Sequence, residues 1–137
     1  TGTNQDGVLS REEIEFVVGD FEKAKRFLEV LGYQKLMYYE KYRATYTLQA
    51  SVGFVQIMLD ALPYGNFVEI EGGAIESIRA VANQLNLQWD CAIATSYQTL
   101  FEQLRTAMNL SVQDLSFAEF KDLAIDVRDL GVQIADR

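Results

Sequence analysis

The chain has 137 residues, 49% of them hydrophobic and 23% charged, with a formal net charge of −8. That balance fits one globular domain with a modest core and excludes a general basic surface for nucleic acid polymers. Histidine is absent, which excludes Ser-His-Asp and Cys-His catalysis and histidine-ligated zinc, so any metal must sit among oxygen ligands, as magnesium, manganese or calcium do.

In chain order, residues 1–10, "TGTNQDGVLS", are polar and glycine-punctuated and read as a loop. "EEIEFVV" then alternates, with Glu13, Glu15 and Val17 on one face and Ile14, Phe16 and Val18 on the other, and this predicts a strand. Asp20 is placed to cap a helix over Phe21–Leu31, with the apolar stripe Phe21, Ala24, Phe27, Leu28 and Leu31, and Gly32 is placed to stop it. Three strands are predicted next, Tyr38–Leu48, Phe54–Asp60 and Phe67–Gly72, joined by short turns near Ser51–Gly53 and at Pro63–Gly65. Their short connections point to an antiparallel meander. From Gly73 the texture becomes helical, with helices expected over Ala74–Leu85 and Tyr97–Met108 and a poorer one over Phe117–Asp129. With no repeat and no linker, residues 1–137 read as one α+β domain: a loop at 1–10, a strand-rich part at 11–72 and a helical part at 73–137.

No apolar run is long enough to span a bilayer and no signal-peptide pattern is present, so the expected location is cytoplasmic. The single cysteine, Cys91, excludes an internal disulfide framework, and its neighbours Trp89, Ala92 and Ile93 predict a buried thiol. Tyr38, Tyr39, Tyr42 and Tyr46 are expected to pack as strand aromatics, Trp89 to anchor a helix connection, and Leu100, Leu104 and Met108 to form core.

The strand parities carry the functional signal. Lys41 and Arg43 share one face of their strand, Gln56, Met58 and Asp60 one face of the next, and Phe67, Glu69 and Glu71 one face of the last. Each strand thus has an apolar face and a face bearing charge. Residues i and i+2 on a strand stand ~6.5–7 Å apart, and two carboxylates that close repel by roughly 2 kcal/mol at an effective dielectric near 20. Charges that merely face water are common on an antiparallel sheet. Here the signs are segregated, with bases on one strand and acids on the others, and a divalent cation with a polyanion would relieve both.

"REEIEF", "YEKYRATYTL" and "IMLDALPYGNFVEIEG" resemble the second half of the CYTH domain, the superfamily of class IV adenylate cyclases, thiamine triphosphatases and other triphosphate tunnel metalloenzymes. The pattern R-x-E-x-E, a helix ending in Leu-Gly-[Phe/Tyr], K-x-R, L-D and G-x-F-x-E-I-E is met in order by Arg11, Glu13, Glu15, "LEVLGY", Lys41, Arg43, Asp60 and Gly65 through Glu71, within residues 11–90. The resemblance implies an antiparallel sheet forming half of an eight-stranded tunnel barrel, with helices packed on its outer apolar face. It implies Asp60, Glu69 and Glu71 as ligands of Mg2+ or Mn2+, and Lys41, Arg43 and Arg11 as contacts to substrate phosphates. Glu13 and Glu15 would line the same tunnel.

The implied activity is metal-dependent hydrolysis or cyclisation of a triphosphate-bearing small molecule, such as ATP, thiamine triphosphate or inorganic tripolyphosphate. No catalytic residue is assigned. The first half of the pattern does not occur, since Val17 stands where an opening E-x-E-x-K strand would have lysine. The expectation is therefore four strands of eight, with a second copy or a partner chain completing the barrel. The alternatives are a non-catalytic polyphosphate or nucleotide-binding module, a fragment inactive without the rest of the barrel, or an α+β domain whose acids face water. "GTNQDGVLSREE" also resembles an EF-hand calcium loop through Asn4, Asp6, Gly7, Leu9, Ser10 and Glu13, but Gly2 occupies the first ligand position and a strand pattern follows it.

Overall fold

The structure is a computed structural model that describes residues 3–5, 7–51 and 53–136, leaving out the side chains of residues 3, 5 and 127. The fold is α+β, with a three-stranded antiparallel sheet and several helices. A small hairpin, β1 (Thr3–Gln5) and β2 (Val8–Ser10), stands where the sequence predicts a loop. Gly7 at φ +81° makes its turn, and its amide donates to Asn4 Oδ1 over 3.3 Å. Asn4 is thus engaged in a hairpin, while Gly2 and Asp6 of the calcium-loop pattern lie outside the described residues.

The strand expected at Glu12–Val18 does not form; residues 11–18 belong to no ladder. Alternation states which side chains share a face, but a strand also needs a partner for its amides and carbonyls. Ile14, Phe16 and Val17 are 84%, 81% and 97% exposed. Helix α1 (Phe21–Val30) does form as its capping residues dictate. Asp20 accepts from the Lys23 amide at 3.0 Å, and the amides of Gly32 and Tyr33 close back on Glu29 and Leu28 in a Schellman pattern. Gly32 adopts φ +93°, a left-handed conformation that favours glycine. None of the ten α1 residues is buried, so its apolar stripe has no cover among the described residues.

The meander is β3 (Tyr42–Gln49), β4 (Phe54–Leu62) and β5 (Gly65–Gly72), in the order β3-β4-β5. Its register sets Arg43 opposite Asp60, Met58 opposite Glu69 and Gln56 opposite Glu71. β3 begins four residues later than predicted because Tyr38–Lys41 turn to the C-terminal segment. There the Tyr38 amide donates to Asp114, and Tyr39 bridges Leu115 in parallel.

Burial changes face halfway along β4. Val55 and Ile57 are buried on one side, and Met58, Asp60 and Leu62 on the other. Helix α2 (Ile75–Gln84) explains the first half, because Val81 packs with Val55, Ile57 and Ile70. Gly72 permits this approach, since a Cβ there would stand 3.2 Å from Val55 Cγ2.

The second half is covered by α3 (Tyr97–Ala107), α4 (Phe117–Phe120) and the C-terminal segment, in a cluster of Leu62, Tyr64, Leu100, Phe101, Leu104, Leu115, Phe120 and Leu130. Only α2, then, sits where helices on an outer apolar face were expected. α3 covers one end of the charged face, and α1 covers neither.

The helix expected at 117–129 is reduced to α4 and a 3-10 turn at Val127–Leu130. Leu100 and Leu104 are core as expected, with Met108 partly buried against them. Trp89 lies in a 3-10 turn between α2 and α3, with the Arg79 guanidinium 4.8 Å from its ring centroid. Cys91 is half-buried rather than buried, its Sγ 3.6 Å from Gln133 Oε1. Tyr38, Tyr39, Tyr42 and Tyr46 are all exposed rather than packed. Among the described residues α2 packs on β4 and β5, and on β3 Tyr42 rests against the Phe117 ring at the start of α4.

Candidate anion and metal site

The site is built by register. Lys41 and Arg43 project from the face of the sheet that also carries Asp60 and Glu69. Asp60 is the centre, its side chain fully buried. Arg43 Nε donates to Asp60 Oδ1 at 2.6 Å, and Nη2 donates to Oδ2 in the bidentate fork that suits a carboxylate. Lys41 Nζ lies 3.3 Å from Oδ2 and the Tyr97 hydroxyl donates to it at 2.9 Å. Arg43 Nη2 also bonds Glu69 Oε2, so a single guanidinium joins carboxylates on two strands.

Four donors therefore converge on one buried carboxylate. Burial alone would raise the Asp60 pKa. The bonds from Arg43, Tyr97 and Lys41 outweigh it and hold the group at about 2. The bond to Asp60 first, and then Glu69, push the Arg43 guanidinium above its ordinary range against the effect of burial. Burial, and then the bond to Asp60, raise the Tyr97 phenol, which stays a donor at neutral pH.

Glu71 behaves in the opposite way. Burial raises its pKa first, then the bond and charge of Glu69 raise it further, and Glu13 adds to the effect. Lys41 and Arg43 thus share this face of the sheet with three carboxylates, Asp60, Glu69 and Glu71. Arg11 is held by Glu13 at 2.6 Å, with both side chains about half exposed. Among the described residues no ion pair ties Arg11 or Glu15 to Asp60. Nor does any group of three or more acidic, cysteine or histidine side chains among them stand close enough to hold a metal ion.

Tyr97 is the participant that strand parity does not reveal. It stands at the first position of α3, fixed by the Ser96 cap on the Thr99 amide at 3.2 Å, and its carbonyl accepts from the buried Tyr64 hydroxyl at 3.0 Å. Lys41 Nζ lies 5.2 Å from its ring centroid, within cation–π range. Its only signal in the sequence is the serine-capped start of that helix, "SYQTLF".

Comparison with known proteins adds no neighbour: no family model, no curated protein and no solved structure matches the chain.

Proposed function

We propose that this chain supplies the charged wall of a triphosphate site of the CYTH kind, acting in metal-dependent phosphoryl transfer as a triphosphatase or a nucleotide cyclase. The observation that carries the reading is the meeting of Lys41, Arg43, Asp60 and Glu69 on one sheet face. Their order and spacing along the sequence had already placed them on one site.

The geometry refines the roles. Asp60 has its oxygens occupied by four donors, so it serves as the anchor that orients Lys41 and Arg43 rather than as a primary metal ligand. The donor chemistry of Glu69 and Glu71 suits Mg2+ or Mn2+. They are carboxylates two residues apart on one strand face, and burial first, then the bond and charge of Glu69, raise the Glu71 pKa. Magnesium is commonly held by one or two carboxylates, with substrate phosphates and water completing its shell. When bound, the cation would neutralise phosphate charge and orient the chain for in-line attack. Arg43 would grip a phosphate through Nη1, which takes part in none of its bonds to Asp60 or Glu69.

A half barrel needs a second wall, and the surface supports one. The accessible surface is 10155 Å2, against about 7,200 Å2 expected for a compact monomer of 15.5 kDa. Much of the excess is apolar, on residues 14–18, on α1 and on the outer face of β3. The reading therefore includes further polypeptide over these surfaces, either a second copy of this chain or a partner chain that completes the barrel.

A second reading, a binding module for polyphosphate or nucleotide without turnover, is favoured by the saturation of Asp60 and the lack of a three-carboxylate group among the described residues. Phosphate release from tripolyphosphate, ATP and thiamine triphosphate with Mg2+ and Mn2+ separates the two. The enzyme reading expects metal-dependent release that Glu71→Ala abolishes. Binding without release by the assembled protein supports the module, and neither binding nor release overturns both.

A further inference from the structure

Four of the aromatic side chains outside the buried core, Tyr38, Tyr39, Tyr42 and Phe117, stand together beside Lys41 of the charged cluster. Tyr38, Tyr39, Glu40, Lys41, Tyr42 and Phe117 line a cleft of about 540 Å3, within the range of small-molecule sites. Tyr38 and Tyr39 are each about half exposed, and Tyr42 leans on Phe117 with ring centroids 5.0 Å apart. The scaffold of the cleft is fixed by one local and two long-range bonds, all made by Glu40. Glu40 accepts the Tyr38 hydroxyl at 3.0 Å and the Phe117 amide at 3.0 Å, and the Glu40 amide donates to the Leu115 carbonyl at 2.9 Å. Lys41 belongs to both places. It lines the cleft, and its ammonium lies 3.3 Å from Asp60.

We propose that this cleft is a ring subsite, in which the base of a nucleoside triphosphate stacks on Tyr39 and its neighbours while the phosphates run past Lys41 toward Arg43. The inference rests on the triphosphate reading of the charged cluster and gives that site a substrate class. An exposed aromatic face can stack on a base, and such stacking is favourable while tolerating any base. Glu40 and the tyrosine hydroxyls at the rim offer acceptors and donors to the base edge. A bare tripolyphosphate would leave the whole cleft unused.

The test is calorimetric titration of the full chain with ATP, CTP and tripolyphosphate, each with Mg2+, for the wild type and for Tyr39→Ala and Tyr39→Trp. ATP and CTP are expected to bind at least tenfold more tightly than tripolyphosphate. Tyr39→Ala should remove about tenfold of the nucleotide affinity and none of the tripolyphosphate affinity, and Tyr39→Trp should retain it. Equal wild-type affinities for all three ligands overturn the ring subsite while leaving the triphosphate site standing. If none of the three binds, both fail. Because the wild-type comparison decides on its own, a poorly folding variant does not blunt the test.

Discussion

Arg43 and Asp60 face each other across neighbouring strands, and Arg43 donates to that carboxylate through both Nε and Nη2, sharing Nη2 with Glu69. The pair is asymmetric, since Asp60 is fully buried while Arg43 keeps 30% of its side chain exposed. The carboxylate therefore depends on its donors more than the guanidinium depends on it.

Removing Asp60 should be costly. Asp60→Ala leaves Lys41 and Arg43 close together with no shared counter-charge. Breaking a buried pair from one side costs about 3–5 kcal/mol, and the solvent reaching Arg43 sets the expectation near the lower end, about 3 kcal/mol. Urea denaturation measures it. A loss under about 1 kcal/mol would mean that the pair is no keystone.

Tyr97→Phe removes one donor to Asp60 and keeps the ring. A hydrogen bond to a charged group contributes about 1.5–3 kcal/mol, so the variant should lose about 1.5 kcal/mol of stability and raise the Asp60 pKa. Carboxyl NMR titration follows the second effect. An unmoved Asp60 pKa would contradict the assignment of Tyr97 as a positioning residue.

Acid should act on the cluster in two directions. The folded pKa of Asp60 lies at about 2, below its ordinary value of 3.8. Its stabilising contribution is thus complete above about pH 4 and is lost as the pH falls toward 2. Asp60→Asn should flatten the stability profile in that window. Glu71 is shifted upward, so its contribution is present below its ordinary pKa and is lost as pH rises through the raised value. A cation binding there must displace a proton in that range, and Mg2+ affinity should rise with pH through it. Denaturation and metal titrations at stepped pH read both signs.

The exposed apolar surface predicts association. Sedimentation should find species heavier than 15.5 kDa at tens of micromolar, and Phe16→Asp with Val17→Asp should shift them to the monomer. A chain monomeric at every concentration would contradict self-association through these surfaces.

The features written in local residues were legible in the sequence. The Asp20 cap, the Gly32 stop and the three-strand meander follow from alternation and turn residues, and the shared face of Lys41, Arg43, Asp60 and Glu69 follows from parity. What depended on a distant partner was not. Residues 12–18 alternate as a strand should, yet among the described residues no neighbouring strand pairs with them. The exchange of buried faces along β4 depends on where α2 and α3 land, and neither position is encoded in β4 itself. Tyr97 joins Asp60 across 37 residues, so its role emerges only once α3 has docked.

The central claim is that the Lys41–Arg43–Asp60 cluster, with Glu69 and Glu71 beside it, holds a polyphosphate through a divalent cation. Its most direct test is calorimetric titration of tripolyphosphate into the chain with and without Mg2+, repeated with Arg43→Ala. The account predicts binding that requires Mg2+ and weakens at least tenfold in the variant. Binding that ignores both the metal and Arg43, or no binding at any metal concentration, would contradict it.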